Sequence, residues 1–383
     1  MSERTKIARF KDYSRAKYFD YILLGVVALL IFFGLVMLYS SSAYTASINH
    51  HGDGAYYLKR QALFVIIGTL FGSVACFMDY RWLKRLAGII YILVLLVNFA
   101  VLVVGHSSNG STRWIRLGGF TLQPSEFMKV ALIIALAAFI SKHTKIFGDV
   151  SFSAACIFII ILAAGPVAVS NLSTAIIIAG TGFVMTFIAS RRKKNLMAVA
   201  VAGVLIAAAA TFSRGYRASR IRYWLHPETA TKGKGFQILQ GLYAIGSGSF
   251  FGKGLGASDT KLGNLPESQN DMIFSVIVEE LGAFGAVCLI LMYVLLLWRL
   301  YIIAVNARDM FGAFIVIGVF AHLSLQMILN MLVVTNTIPN TGVTLPFISY
   351  GGSSIICTLI EIGMVLSVSR RIPLDLIALD EDK

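Results

Sequence analysis

The sequence predicts an all-α polytopic membrane protein: ten transmembrane helices, both termini cytoplasmic, and a large extracellular loop between helices 7 and 8. Three observations carry that reading. Of 383 residues, 57% are hydrophobic and 14% charged, with a mean hydropathy of +0.78. Apolar runs of about 17–25 residues recur, the length at which a helix crosses a bilayer with its backbone satisfied internally. Lys and Arg are distributed unevenly: segments on the N-terminal side of the expected spans hold 20, and the opposite segments hold 12, eight of them in one long loop. Long loops count little in the positive-inside rule, so the bias puts both ends in the cytoplasm.

In order, residues 1–19 form a basic tail and spans follow at 20–39, 61–78 and 86–105. The first span is too long for a cleaved signal region and reads as an anchor. A loop of Gly, Ser and Arg covers 106–123, before span four at 124–140. Spans five and six, 152–168 and 172–189, form a tight hairpin around Pro166 and Asn171. Span seven is 195–211 and the long outward loop 212–272. Spans eight to ten are 273–298, 310–334 and 353–369, and 370–383 is a second cytoplasmic tail. Residues 1–383 read as a single membrane domain with no internal repeat. That argues against a transporter built from inverted halves.

The net charge of +14 is accounted for by membrane topology, and no basic stretch carries interleaved aromatics, so no nucleic-acid partner is expected. Cys76, Cys156, Cys288 and Cys357 all fall in spans and read as small core residues. The six histidines lack ligand spacing for a dedicated metal site.

Four polar stretches stand out against the apolar runs. The first is GSTRWIRLGGFTLQPSEFMK, residues 110–129. Pro124 suits a first helical position, and Glu126 and Lys129, three apart, share a face and read as an ion pair neutralising two charges in the membrane. Arg113, Trp114 and Arg116 suit either a grip on phosphate or sugar, or an interfacial belt. The second holds Arg214, Arg217, Arg220 and Arg222, outward cations that invite lipid headgroups or a diphosphate. The third, 251–282, is glycine-rich, carries Lys253 and Lys261, and leads through Asp271 into an apolar helix with Glu279 and Glu280. Acids at the mouth of a membrane helix usually have a function, yet Asp271 also suits a helix N-cap, and spacing alone favours the cap. The fourth, Ile338 to Ser354, is a neutral loop with two prolines and three glycines, suited to shaping and hydrogen bonding.

Taken together, GSTRWIRLGGFTLQPSEFMK, GFQILQGLYAIGSGSFFGKGLG, KLGNLPESQNDMIFSVIVEELG and TGVTLPFISYGGSS resemble the SEDS family, that of FtsW, RodA and SpoVE, over nearly the whole chain. GLVMLYSSS and YYLKRQ are more similar to the FtsW and SpoVE branch. The resemblance implies a peptidoglycan glycosyltransferase that polymerises lipid II at the outer face of the bacterial cytoplasmic membrane, at the division septum. Its implied partners are a class B penicillin-binding protein transpeptidase, divisome proteins and membrane lipids. Asp271 falls on the family's presumed catalytic acid. Arg113, Trp114, Lys129, Arg220, Arg222, Lys253, Lys261, Ser349 and Gly351 are the expected substrate contacts. A divalent cation, Mg or Mn, is an expected helper, and no organic cofactor is expected. Gln269-Asn270 stands where relatives commonly have His or Asn-Thr, and Asn171 where they have Asp. Glu361 stands in a span that is usually neutral. A lipid II flippase, or a scaffold that activates the transpeptidase, are the alternatives.

Overall fold

The computed structural model describes residues 18–104, 106–108, 111–117, 120–144, 150–212, 223–229, 233–261, 265 and 267–373. Eleven long helices dominate them: α1 Tyr21–Asn49, α2 Tyr56–Phe77, α3 Arg81–Val104, α4 Pro124–Lys142, α5 Val150–Ser170, α6 Leu172–Ala189, α7 Lys193–Phe212, α8 Gly233–Ser247, α9 Ile273–Val305, α10 Met310–Val334 and α11 Gly352–Ser369. Among the described residues, nine of these are long and apolar enough to cross a membrane. Helix α7 occupies the place of the expected seventh span without being one of the nine.

Local chemistry sets the helix ends. Asp20 caps α1 by accepting from the Leu23 N–H at 2.8 Å, Asp309 caps α10 through Gly312 at 2.8 Å, and Pro124 opens α4. Pro166, expected at a turn, lies inside α5, which continues to Ser170. Asn171 then caps α6, accepting from the Thr174 N–H at 3.3 Å.

Helices α4, α10 and α11 form the centre, burying 72%, 61% and 78% of their most apolar windows against 28% for α3 and α9. The outer helices present Ile89, Ile92 and Leu96, or Val287, Leu291 and Trp298, to the surroundings. In water such faces would drive association, whereas acyl chains solvate them. Helices α2 and α11 approach closely through small residues: a side chain at Gly363 would collide with the Gly72 carbonyl.

Two stretches expected to be loop are structured. Residues 106–122 contain a three-stranded antiparallel sheet in the order β1 (His106–Ser108), β2 (Ser111–Leu117), β3 (Phe120–Leu122). The 212–272 segment contains α8, whose Ile238 and Ala244 are buried.

Helix α9 is broken. Gly282 adopts φ 70° and ψ −170°, open to glycine at little cost. The freed backbone groups pair with the glycine-rich segment. Lys253 and Gly254 N–H donate to the carbonyls of Glu279 and Glu280 at 2.9 Å, and Ala283 and Phe284 N–H donate to Ser249 and Phe250 at 3.0 Å. A break at membrane depth is stable only with such replacement partners.

The described chain ends share one face of the bundle. There Asp20 pairs with Arg299 at 2.8 Å, Arg371 with Asp79 at 3.1 Å, and Arg81 with Asp309 at 3.3 Å. Burial would push the Asp309 carboxyl up, but hydrogen bonds from Tyr80 and the Gly312 N–H and the nearby Arg81 guanidinium outweigh it and hold it below the usual carboxylate range. Asp271 and the loop after α10 lie at the opposite end.

Candidate functional site

Asp271 stands just before α9 and is 2% exposed. The helix is entered through Met272, which makes no side-chain cap, so the N-cap reading of Asp271 does not hold. Its Oδ1 instead accepts from Gln237 Nε2 of α8 at 2.9 Å, and Asn340 Nδ2 reaches Gln237 Oε1 at 3.5 Å. Asn330 of α10 donates from Nδ2 to the Asp271 carbonyl at 2.8 Å and to the Val343 carbonyl at 2.7 Å. Gly342, at φ 70°, leaves the Asp271 carboxylate room: an added Cβ would sit 3.6 Å from Oδ2. The carboxylate therefore lies beneath the 340–343 loop, and not open at the rim as the sequence suggested.

From Asn340 to Ser349 the chain is irregular and mostly buried, Gly342 being exposed, and side chains from four helices satisfy its carbonyls. Ser173 of α6 donates to Thr341 at 2.6 Å, Asn330 to Val343, and Gln326 to Thr344 at 3.0 Å. Tyr293 of α9 donates to Pro346 at 2.5 Å, and Gln61 of α2 to Ser349 at 3.3 Å. Buried backbone without such partners is strongly disfavoured, so the loop's shape is imposed by the bundle. Gln61 also accepts from the Gly351 N–H at 3.2 Å, and the Ser349 hydroxyl accepts from the Leu345 N–H at 2.8 Å. In this state Ser349 and Gly351 shape the loop. Tyr350 packs edge-on against Tyr57, 5.1 Å between ring centres, and burial raises its phenol above the ordinary value.

Lys253 and Lys261, expected to meet an anionic substrate, are engaged by acids. Lys253 Nζ lies 2.8 Å from Glu279 and 2.9 Å from Asp259, and these carboxylates hold it above the usual lysine value. Lys261 Nζ lies 2.6 Å from Glu280, which also accepts from Ser40 at 2.7 Å. Glu279 further accepts from Ser258 at 2.5 Å and from Thr260. These contacts fasten the glycine-rich segment to the broken helix. Sequence spacing gave the residue types and missed the pairing with the two glutamates, which lie 19 and 26 residues from their lysines.

Glu126 and Lys129 form the expected pair, 2.9 Å apart. Lys129, 2% exposed, also donates to Gln326 at 2.9 Å. Trp114 lies half-buried in β2. The side chain of Arg113, and Arg220 and Arg222 entirely, fall outside the described residues. Among the described residues no three His, Cys, Asp or Glu side chains gather to hold a metal ion, and the described partners of Asp271 are amides. Two surface hollows lie elsewhere: an apolar groove of about 590 Å³ between α1 and Leu255–Lys261, and a basic one of about 570 Å³ around Arg81, Lys84 and Arg85.

Comparison with known proteins places this geometry. The chain is 39% identical over 365 residues to stage V sporulation protein E of Bacillus subtilis, covering 92% of this chain and 97% of that one. It is 38% identical over 368 residues to the "Probable peptidoglycan glycosyltransferase FtsW" of Trichlorobacter lovleyi, covering 95% and 96%. Among solved structures, a chain of a peptidoglycan synthase complex that coordinates polymerization and crosslinking superposes with a TM-score of 0.76 at 28% identity, covering 92% of this chain and 98% of that one. The rod shape determining protein RodA of Thermus thermophilus gives 0.69 at 28%, covering 92% and 97%. The cell cycle protein family of FtsW, RodA and SpoVE matches residues 20–372, and the chain belongs to it.

Proposed function

We propose that this protein is a peptidoglycan glycosyltransferase that polymerises lipid II, with Asp271 as general base. The observation that carries the proposal is a buried carboxylate that accepts from the Gln237 amide, on backbone anchored by Asn330, beneath a loop held by four helices. In the reaction a sugar hydroxyl of one substrate attacks the anomeric carbon of the other. The new C–O bond forms as the carbon–phosphate-oxygen bond breaks, and the electron pair leaves with the lipid diphosphate. The hydroxyl proton passes to an Asp271 carboxylate oxygen. Direct displacement with one base inverts the anomeric centre, as in inverting glycosidases. A diphosphate is already a good leaving group, so the remaining demand is positive charge beside it. Arg113, Arg220 and Arg222, cations of the loops that the charge bias of the sequence puts outward, are proposed for that task. Any divalent cation would enter on the diphosphate.

Because Asp271 is covered, substrate entry requires the 340–343 loop or its neighbours to move. Ten spans, with both termini cytoplasmic and the Asp271 end outward, complete the proposed topology. A class B penicillin-binding protein is the proposed partner, and the septum the proposed location. Purified protein incubated with lipid II in detergent tests the activity. Glycan polymer is expected; its absence, with lipid II translocated across proteoliposomes, would instead establish a flippase. Absence of both would leave a scaffold.

A further inference from the structure

Three polar side chains stand at i, i+4 and i+8 on one face of α10: His322, Gln326 and Asn330. All are at most 2% exposed. Asn330 holds the Asp271 carbonyl and the Val343 carbonyl, and Gln326 holds the next one, Thr344. Below them His322 Nε2 lies 2.9 Å from Gln326 Oε1, and His322 Nδ1 lies 2.8 Å from Glu361 Oε2 of α11. Lys129 of α4 donates to the same Gln326 oxygen. The charged and titratable groups facing this stack are Glu126 and Lys129 from α4, and Glu361 and Cys357 from α11.

The hydrogen bonds fix every proton in the stack except one. Lys129 is a donor only, and the Thr344 carbonyl an acceptor only, so the Gln326 amide has one permitted orientation. Its oxygen already accepts from Lys129, so His322 Nε2 must also donate to it. His322 is therefore protonated on Nε2. A single further proton then lies between His322 Nδ1 and Glu361 Oε2, and the pair is neutral as a unit. The geometry points to His322 and Glu361 as the foot of a ladder that orients Gln326, and through Gln326 and Asn330 sets the 343–344 backbone over Asp271. In this inference, which rests on the reading of Asp271 as the base, Gln326 and His322 are positioning residues for glycosyl transfer. Glu361 acquires a role for which neither its spacing nor the family resemblance gave a reason.

Two measurements test it. The first is the ¹⁵N spectrum of histidine-labelled protein, with the His322 signals assigned by His322→Gln. The expected result is a protonated Nε2; a His322 ring protonated on Nδ1 and bare on Nε2 would overturn the inference, whatever Asp271 does. The second is steady-state kinetics per folded molecule. Gln326→Met removes the donor to Thr344 at similar volume and should lower kcat by about 10²-fold with KM little changed, the scale of an ångström-sized misplacement. Glu361→Ala should lower kcat in the same direction. Glu361→Gln, whose amide N–H can donate to Nδ1 and so keep Nε2 protonated, should recover most of it. A loss that tracks only the folded fraction, or no rescue by Glu361→Gln, would overturn the positioning role. Full activity in Asp271→Asn alongside a collapsed Gln326→Met would instead remove Asp271 as the base while leaving the ladder in place.

Discussion

Asp271 and the Glu279–Glu280 pair are acids of the same segment, all buried, and the bundle treats them in opposite ways. The two glutamates are met by lysines at 2.8 and 2.6 Å and by the hydroxyls of Ser40, Ser258 and Thr260. Asp271 is met by the amide of Gln237, its backbone is held by Asn330, and a glycine leaves space beside it. A carboxylate locked to a lysine gains most by staying ionised and still, and so holds structure. An amide is a neutral donor, so the Gln237 contact fixes the Asp271 carboxylate without itself supplying a counter-charge. Charge burial alone therefore does not separate the proposed base from the structural acids.

The contrast breaks first at Asp271. Asp271→Asn should lower lipid II polymerisation by about 10²–10⁴-fold, the range of a lost general base, with an unchanged melting temperature. On the other side, Glu280→Gln leaves the buried Lys261 ammonium without its counter-charge. It should destabilise by about 3–5 kcal/mol, read from thermal unfolding in detergent. Lys261→Met combined with Glu280→Leu should recover part of that loss. Gly282→Ala probes the break the glutamates support: at φ 70° a Cβ meets the Phe250 backbone, and a loss of about 1–3 kcal/mol is expected. Lys253→Ala removes the cation beside the fully buried Glu279, but Glu279 keeps its hydroxyl donors, so about 1–3 kcal/mol is expected, less than for Glu280→Gln.

The ion pairs at the opposite face sharpen the comparison through pH. The Asp309 carboxyl is held below its ordinary value, so its contribution is complete above the unfolded aspartate value of about 3.9 and drains as pH falls through the lower folded value. The stability difference between wild type and Asp309→Asn should be constant from neutral pH to about pH 5 and shrink below about pH 4. A difference that grows on acidification would contradict this sign.

Much of the bundle was legible because membrane spans are written locally. Each needs only a contiguous apolar run, and nine described helices meet that test. The Glu126–Lys129 pair was legible for the same reason, its partners being one turn apart. What sequence missed was non-local or masked by glycine. Helix α8 hides in GKGFQILQGLYAIGS, where four glycines, one of them on the buried face with Ile238 and Ala244, disguise the helical pattern. Ser40 and Glu280, or Gln61 and Ser349, meet across more than 200 residues, which no spacing encodes. His322, Gln326 and Asn330 did carry a readable signal: polar residues at four-residue intervals inside an apolar span.

The most direct test is a polymerisation time course with folded Asp271→Asn protein and lipid II in large excess, so that both substrate positions are filled. The expected result is lipid II that is bound but unpolymerised, in a protein that melts like wild type. Polymer formed at the wild-type rate by that folded variant would contradict it.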